Sequence, residues 1–251
     1  MKLTGNTILI TGGGTGIGRA LAEAFHALGN QIIIAGRRQA ALDETVFANP
    51  GMASLTFDIA DPVCIRSFAT RAAADYPQLN ILINNAGIMR AENLTAQPAD
   101  LADAEAIVTT NLLGPLRLTN ALLPQLQSQP YSAIMNVSSG LAFVPLTMTP
   151  TYCATKAALH SWTQSLRHQL KDTVTEVLEL IPPYVATHLM SGASDPRAMP
   201  LADFIAEVME ILKSQPAVTE ICVERVKGLY LAAATGKYDA IFQGLNAARY
   251  D

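Results

Sequence analysis

Residues 7–18 read TILITGGGTGIG, an apolar β-branched run that breaks into glycines, and RALAEAFHALG follows with helical periodicity. Few folds accept that order. Glycines between a buried strand and a helix let the backbone approach a pyrophosphate held at the helix N-terminus, the phosphate turn of a dinucleotide-binding unit. Gly12, Gly16 and Gly18 supply that geometry. The rest of the chain keeps the rhythm: QIIIAG, ASLTFD, NILINN, SAIMNVSS and TEVLELIP alternate with helical stretches at about 16–28, 39–48, 61–76 and 101–127 and with one through TPTYCATKAALHSW that runs to about 170. Such alternation implies right-handed crossovers and an α/β fold, a doubly wound parallel sheet with helices on both faces. Ligands then bind beyond the carboxyl ends of the strands. Gly12, Arg37, Asp58, Asn85, Ser139 and Pro182 all fall at or just after strand ends, so one edge of the sheet collects the chemistry. A helix at about 201–213, a strand near AVTEICV and a last helix through VKGLYLAAA complete a single domain over residues 1–251.

Tyr152 and Lys156 stand four residues apart in TPTYCATKAALHSW, a segment rich in helix formers, so both project from one side of a helix. A phenol with an ordinary pKa of about 10 exchanges protons poorly near neutrality, and an ammonium within about 4 to 6 Å stabilises its phenolate. The pair has the makings of a tuned general acid and base. The same spacing also occurs on amphipathic helices where the ring packs and the ammonium is solvated. The glycine turn upstream weights the chemical reading. Cys153 points about 100° away from Tyr152 around the helix and reads as a packing residue.

Taken in order, these motifs resemble the short-chain dehydrogenase/reductase family over nearly the whole chain. Thr11 to Gly18 match the family's Thr-Gly-three residues-Gly-X-Gly loop, and Asn84, Asn85, Ala86 and Gly87 match its Asn-Asn-Ala-Gly motif. Tyr152 and Lys156 match Tyr-three residues-Lys, Ser139 stands thirteen positions before the tyrosine, and Asn111 in IVTTNLLGPL falls on the family's helix asparagine. SSGLAFVP, YCATKAALHSWTQSLRHQLKDT and MKLTGNTILITGG are similar to the oxidoreductases encoded beside teichoic-acid D-alanylation enzymes, a subgroup named for genetic neighbourhood. The resemblance implies a Rossmann-type sheet, a nicotinamide cofactor and a small carbonyl or alcohol substrate.

It also implies roles. Tyr152 would give a proton to a carbonyl oxygen or take one from an alcohol, and Ser139 would hydrogen-bond the same oxygen. Lys156 would bond the nicotinamide ribose and lower the phenol pKa, and Asn111, through its backbone carbonyl and a water, would link the lysine to solvent. Ser138 and Ser139 alternate faces at the strand end, and the thirteen-residue offset selects Ser139. The dinucleotide would lie against Gly12, Gly14, Thr15, Gly16, Ile17 and Gly18, then Asp58 and Ile59 at the adenine, and Asn85, Ala86 and Gly87. Tyr152, Lys156, Pro182, Val185 and Thr187 would meet the nicotinamide end. Asp61 is the more natural cap of the following helix. Where the family shows Pro-Gly this chain has Pro182-Pro183, and Pro183 fixes φ near about −65° and removes an N–H.

Cofactor choice turns on QIIIAGRRQAAL. A site selective for NAD carries an acid after the second strand for the ribose 2′-hydroxyl, whereas this chain offers Gly36, Arg37 and Arg38. A guanidinium takes a 2′-phosphate in a bidentate fork and Gly36 leaves room for it, so NADP(H) is expected over NAD(H), with Arg37 as the reader. Thr15 stands where many NADP-using relatives carry a second basic residue, so the preference is expected to be moderate.

Half the residues are hydrophobic and 15% are charged, which suits a sheet covered on both faces and a buried subunit interface. The Leu-rich stretch LLGPLRLTNALLPQL and the Tyr/Lys helix are expected to pair with their copies in a homodimer or homotetramer, as they do in related enzymes. A net charge of −4 without a basic patch excludes nucleic acid as a partner. No apolar run reaches the roughly 18 residues of a membrane span, and the N-terminus lacks a charged-then-apolar leader. Cys64, Cys153 and Cys222 have neither disulfide nor zinc spacing, so no metal is expected and the cytoplasm is the expected compartment. His160 and His168 read as packing or capping residues, since no other ligand-type residue accompanies them in sequence. Residues 183–200, PYVATHLMSGASDPRAMP, read as a cover over the substrate site, with Leu141, Phe143, Val144, Tyr184 and Met190 as apolar walls. A nucleotide-sensing regulator without catalysis, or an epimerase or dehydratase on the same fold, is the alternative. The regulator has no need of the tetrad, and all four members are present.

Overall fold

Side chains alternate along a strand, and here the alternation sorts the core into two layers. In the computed structural model, which describes residues 1–95, 100–190 and 195–247, the strands are β1 (Thr7–Thr11), β2 (Gln31–Gly36), β3 (Ala53–Thr56), β4 (Leu79–Asn84), β5 (Ser132–Val137), β6 (Thr175–Ile181) and β7 (Glu220–Cys222). All pair in parallel in the order β3-β2-β1-β4-β5-β6-β7. Ile8, Ile10, Ile32, Ile34, Ile81 and Ile83 face the layer formed with α1 (Gly16–Ala27), α2 (Gln39–Ala48) and α7 (Leu201–Ser214). Leu9, Ile33, Leu82, Ile134 and Val177 face the opposite layer, under α3 (Pro62–Asp75), α5 (Gly114–Gln127) and α6 (Pro150–Gln169). The doubly wound sheet expected from strand–helix alternation is therefore present. No helix among the described residues is long and apolar enough to cross a membrane.

One level of that second layer is polar. Asn84, Asn136, Glu179 and Glu220 pair in register across β4, β5, β6 and β7, and the period of two sends all four toward α5 and α6. Asn84 Nδ2 donates to Asn136 Oδ1 and to Thr119 Oγ1, both at 2.9 Å, and Asn136 Nδ2 donates to Thr163 Oγ1 at 2.9 Å. Buried amides need such partners, and hydroxyls on the two overlying helices provide them.

The expected helix at 101–127 is interrupted. It forms α4 (Ala102–Val108), a π-turn (Thr109–Leu113), then α5. Pro115 explains the break: it has no N–H for the carbonyl of Asn111, its i−4 acceptor, so the ladder widens there. The C-terminal part also departs from expectation. VKGLYLAAA holds only the short α8 (Lys227–Tyr230), and an unanticipated α9 (Tyr238–Ala247) follows it.

Candidate active site

The glycine turn between β1 and α1 is built around missing Cβ atoms. Gly12 and Gly16 have φ of 66° and 55°, the left-handed region that suits glycine. A Cβ on Gly18 would lie 2.4 Å from both Asn85 Nδ2 and Gly12 O, and one on Gly13 would lie 2.5 Å from Ile34 Cγ2. Gly13 is therefore a further structural requirement of the turn, visible only once β2 lies beside it. Gly14 comes against Ala41, and Ile17 packs on the core below. Thr15 caps α1 without any side-chain bond to the first-turn amides, since its hydroxyl accepts from Arg38 Nη2 at 3.2 Å. The positive end of α1 thus faces a turn made of glycine backbone, with Thr187 and Arg38 at its rim, which fits the pyrophosphate of a nicotinamide dinucleotide.

Several expected cofactor residues act through this turn. Asn85 Nδ2 donates to Thr11 O at 2.9 Å, and the amides of Asn85 and Ala86 donate to Thr11 Oγ1 at 3.0 Å, so the Asn-Asn-Ala-Gly loop locks the turn onto β1. Thr187 comes to 3.5 Å from the place a Gly16 Cβ would take. Pro182 O is occupied by Gly140 N at 2.8 Å, while Val185 forms a bridge with Met199. Asp58 Oδ1 accepts from Ala60 N and Asp61 caps α3 by accepting from Val63 N at 2.7 Å. Ile59 is buried against Gly114. At the end of β2 it is Arg38 that leans over the turn, whereas Arg37 is exposed and has no partner among the described residues.

Asn111, Ser139, Tyr152 and Lys156 converge at the same edge. Lys156 Nζ donates to Val137 O at 2.8 Å and sits 5.6 Å from the centroid of the Tyr152 ring. Ser139 Oγ accepts from Leu141 N at 3.1 Å and its side chain also meets the Tyr152 hydroxyl, while Ser138 turns to Leu180 O. Asn111 is clamped to the loop after β4, accepting from Ile88 N and donating to Ile88 O at 2.8 Å each. A Cβ on Gly87 would lie 3.3 Å from Asn111 Oδ1 and 3.8 Å from Lys156 Nζ, so the glycine leaves room between them.

Burial governs the protonation of both catalytic candidates. It pushes the Tyr152 phenol up to about 12, with Ser139 pulling the other way, so the expected lowering by lysine is not the dominant effect here. Burial likewise lowers Lys156 to about 8 against the opposing charge of Glu179. Cys153 is buried and its thiol is raised by that burial, in keeping with a packing role.

Two further expectations need correction. Val144 is fully buried and so lines no open pocket, while Phe143, half-buried, stacks edge-on against His160 and Tyr230. The apolar group around Tyr152 comprises Ile107, Leu146 and Cys153 with Ile88, Met89, Leu141, Met148 and Leu245, the last contributed by α9. Tyr184 instead donates to Asp195 at 3.2 Å. The loop 183–200 is pinned where Val185 meets Met199, and its residues 191–194 lie outside the described ones. His160 is no bare packing residue: its Nδ1 lies 2.8 Å from Glu179 Oε2, and Glu220 completes a three-residue group.

A family model described as short chain dehydrogenase matches residues 6–198. The chain is 40% identical over 251 residues, 98% of each sequence, to the uncharacterized oxidoreductase DltE of Bacillus subtilis (strain 168). A short chain dehydrogenase from Burkholderia cenocepacia J2315 in complex with NADP superposes with a TM-score of 0.81 at 26% identity, covering 98% of this chain and 99% of that one. The 3-ketoacyl-(acyl-carrier-protein) reductase of Brucella melitensis complexed with NADH gives 0.78 at 25% identity, covering 90% and 100%. Matched along most of its length by that family model, and by relatives that carry NADP or NADH in the same fold, the chain belongs to the short-chain dehydrogenase/reductase family of NAD(P)-dependent oxidoreductases.

Proposed function

We propose that this enzyme interconverts a carbonyl and an alcohol with NADP(H), using Tyr152 as general acid and base. The observation that carries the reading is the meeting of Tyr152, Ser139 and Lys156 at the strand edge that the glycine turn also reaches. When bound, the nicotinamide supplies or accepts the hydride. The chain's own residues manage the proton. With its pKa near 12, the Tyr152 phenol holds a proton across the neutral range and can deliver it to a carbonyl oxygen. Ser139 is a second donor to that oxygen, stabilising the charge that develops on it. Lys156, anchored to Val137 O, keeps positive charge beside the phenol so that the phenolate left after transfer is not stranded. The Asn111 carbonyl, freed from the helix ladder by Pro115, offers the lysine an acceptor toward solvent. Ile88, Met89, Met148 and Leu245 form an apolar wall, which favours a substrate with a hydrophobic body.

The preference for NADP(H) rests on Arg37 and Arg38 standing where an NAD-selective site would carry an acid, with Arg38 bonded to Thr15 over the turn. A homodimer or homotetramer formed through α4, α5 and α6 accords with the exposed Leu101 and Val108, and light scattering at micromolar concentration tests it. Three free cysteines suit the cytoplasm. The catalytic reading is tested by following NADPH oxidation over a panel of ketones and aldehydes with the wild type and Tyr152→Phe. The variant should keep cofactor affinity and lose at least about 100-fold in turnover. Near-normal turnover by the variant would end the assignment.

A further inference from the structure

Lys156, His160, Thr163 and Arg167 follow one another at spacings of four, three and four, so they form a single polar stripe along α6. That stripe lies on the transverse polar row of the sheet. Lys156 reaches Val137 O, His160 Nδ1 meets Glu179 Oε2 at 2.8 Å, and Thr163 accepts from Asn136. Arg167 Nε donates to Val177 O at 2.8 Å and its Nη1 reaches Glu220 Oε1 at 3.4 Å. Glu179 has no solvent exposure, and its Oε1 has no hydrogen-bond partner among the described residues. A buried carboxylate oxygen without a donor is costly, and a nearby cation is one way to offset it. Lys156, buried and one helical turn from His160 on the same stripe, makes no ion pair with Glu179 within 4 Å and acts on it through charge alone.

The charges around Glu179 come from every element packed there. Lys156, His160 and Arg167 lie on α6, Glu220 and Cys222 on β7, and Tyr230 on α8, where it donates to Glu220 at 2.6 Å. Lys227 acts on this group only through Cys222 and is exposed. With His160 neutral, two cations and two carboxylates cancel. His160, Glu179 and Glu220 have donor atoms within 4.8 Å of one another, but this balance leaves a divalent cation no net charge to neutralise. His160 is the member with access to solvent, its side chain being 20% exposed, and with Nδ1 donating to Glu179 its Nε2 accepts from Gln164 Nε2 at 3.2 Å.

We propose that Glu179 and His160 form a positioning dyad behind the catalytic pair, in which Glu179 is the buried counter-charge that holds the Lys156 ammonium beside Tyr152 and His160 is the proton port that switches this charge. The dyad rests on the assignment of Lys156 to catalysis made above. Two directions agree with it: the hydrogen bond to Glu179 raises His160, and Glu179 opposes the lowering of Lys156 by burial. Once His160 takes up a proton the dyad is neutral and its support for the ammonium fades.

The test reads the lysine directly. In protein labelled with 15N-lysine, the Lys156 ammonium signal is assigned by its loss in Lys156→Met and followed against pH. In Glu179→Gln the signal should vanish at a pH lower by about one to three units, with Glu179→Asp restoring part of the range. The alkaline limb of turnover should move by the same amount while KM for NADPH changes little. In His160→Gln, a change at a partly exposed position, the acid-side step in the Lys156 signal should disappear. A folded Glu179→Gln whose lysine signal and alkaline limb match the wild type overturns the dyad, as does an acid-side step that survives in His160→Gln. Stoichiometric Zn2+ binding by the wild type that His160→Gln abolishes overturns it too, by making these groups ligands. If the wild type turns over no carbonyl compound, the proposed function falls, and the lysine titration still decides the dyad on its own.

Discussion

Replacing Gly18 with alanine sets two physical effects against each other. Gly18 lies in the first turn of α1, where alanine is better than glycine by roughly 0.5–1 kcal/mol on helix propensity. The new methyl would sit 2.4 Å from Gly12 O and Asn85 Nδ2, about 1 Å short of normal contact. Gly12 O is backbone and cannot swing away. Relief requires the turn to move off β1, which costs about 1–3 kcal/mol for overpacking. It also strains the bond from Asn85 Nδ2 to Thr11 O, worth about 1 kcal/mol. The net expectation is a loss of about 2 kcal/mol, or roughly 4–8 °C in Tm for a chain of this size. NADPH affinity should fall with it, because the cradle changes shape. Gly244 is the matched control: it lies in α9, is exposed and has nothing within 4 Å of the place a methyl would take, so Gly244→Ala should gain about 0.5–1 kcal/mol. Urea unfolding and cofactor titration on both variants read the outcome. A neutral or stabilising Gly18→Ala would refute the close-approach argument, since propensity alone would then describe both sites.

Arg37→Ala and Arg38→Ala should each weaken NADP(H) by about 1.5–3 kcal/mol, the range for hydrogen bonds to charged groups, while barely changing NAD(H). Equal losses for both cofactors would remove the arginines from phosphate recognition. Lys156 sets a pH dependence of stability: its pKa falls from 10.5 unfolded to about 8 folded, so between those values the unfolded chain binds the extra proton and stability rises with pH. At about 1.4 kcal/mol per unit, the buried ammonium costs about 3 kcal/mol below pH 8, and Lys156→Met should flatten the stability profile between pH 8 and 10 relative to the wild type. Parallel profiles would contradict the burial argument. Glu92 caps α6 by accepting from Thr151 N at 3.0 Å and Thr151 Oγ1 at 2.6 Å, so Glu92→Ala should cost about 1 kcal/mol in urea unfolding, and no change would show that the contact is not stabilising.

Strands and phosphate turn were legible because each is a local pattern. Ile8, Ile10, Ile32 and Ile34 lie in β-branched runs bounded by glycine, and Gly12 to Gly18 announce a turn by composition alone. What the pattern could not carry is contact between distant segments. Gly13 is required by Ile34, and the partners of His160 lie 19 and 60 positions later, at Glu179 and Glu220. In sequence these glutamates sit in ordinary strand-like runs, and only the register of β6 against β7 brings them together under α6. The lost pocket wall has a similar origin. Phe143 and Val144 follow Ser139 closely, yet the short helical turn after Ser139 turns Phe143 onto His160 of α6 and Tyr230 of α8 and leaves Val144 fully buried, while α9 brings Leu245 to the apolar group around Tyr152. Pro115 was visible from the start. Its effect on the carbonyl of Asn111 follows only from counting four residues back along an actual helix.

The tail of the chain has a consequence for how such proteins diverge. Leu245 joins the apolar group around Tyr152, and Asn246 staples α9 there by donating to Pro145 O at 3.1 Å and accepting from Thr147 N at 2.7 Å. The sheet, the phosphate turn and the Tyr/Lys helix are all complete before α9 begins. Part of the apolar surface beside Tyr152 is thus supplied by a helix that lies outside the sheet, the phosphate turn and the Tyr/Lys helix. Drift or recombination confined to α9 can reshape that surface while the phosphate turn and the Tyr/Lys helix are inherited intact.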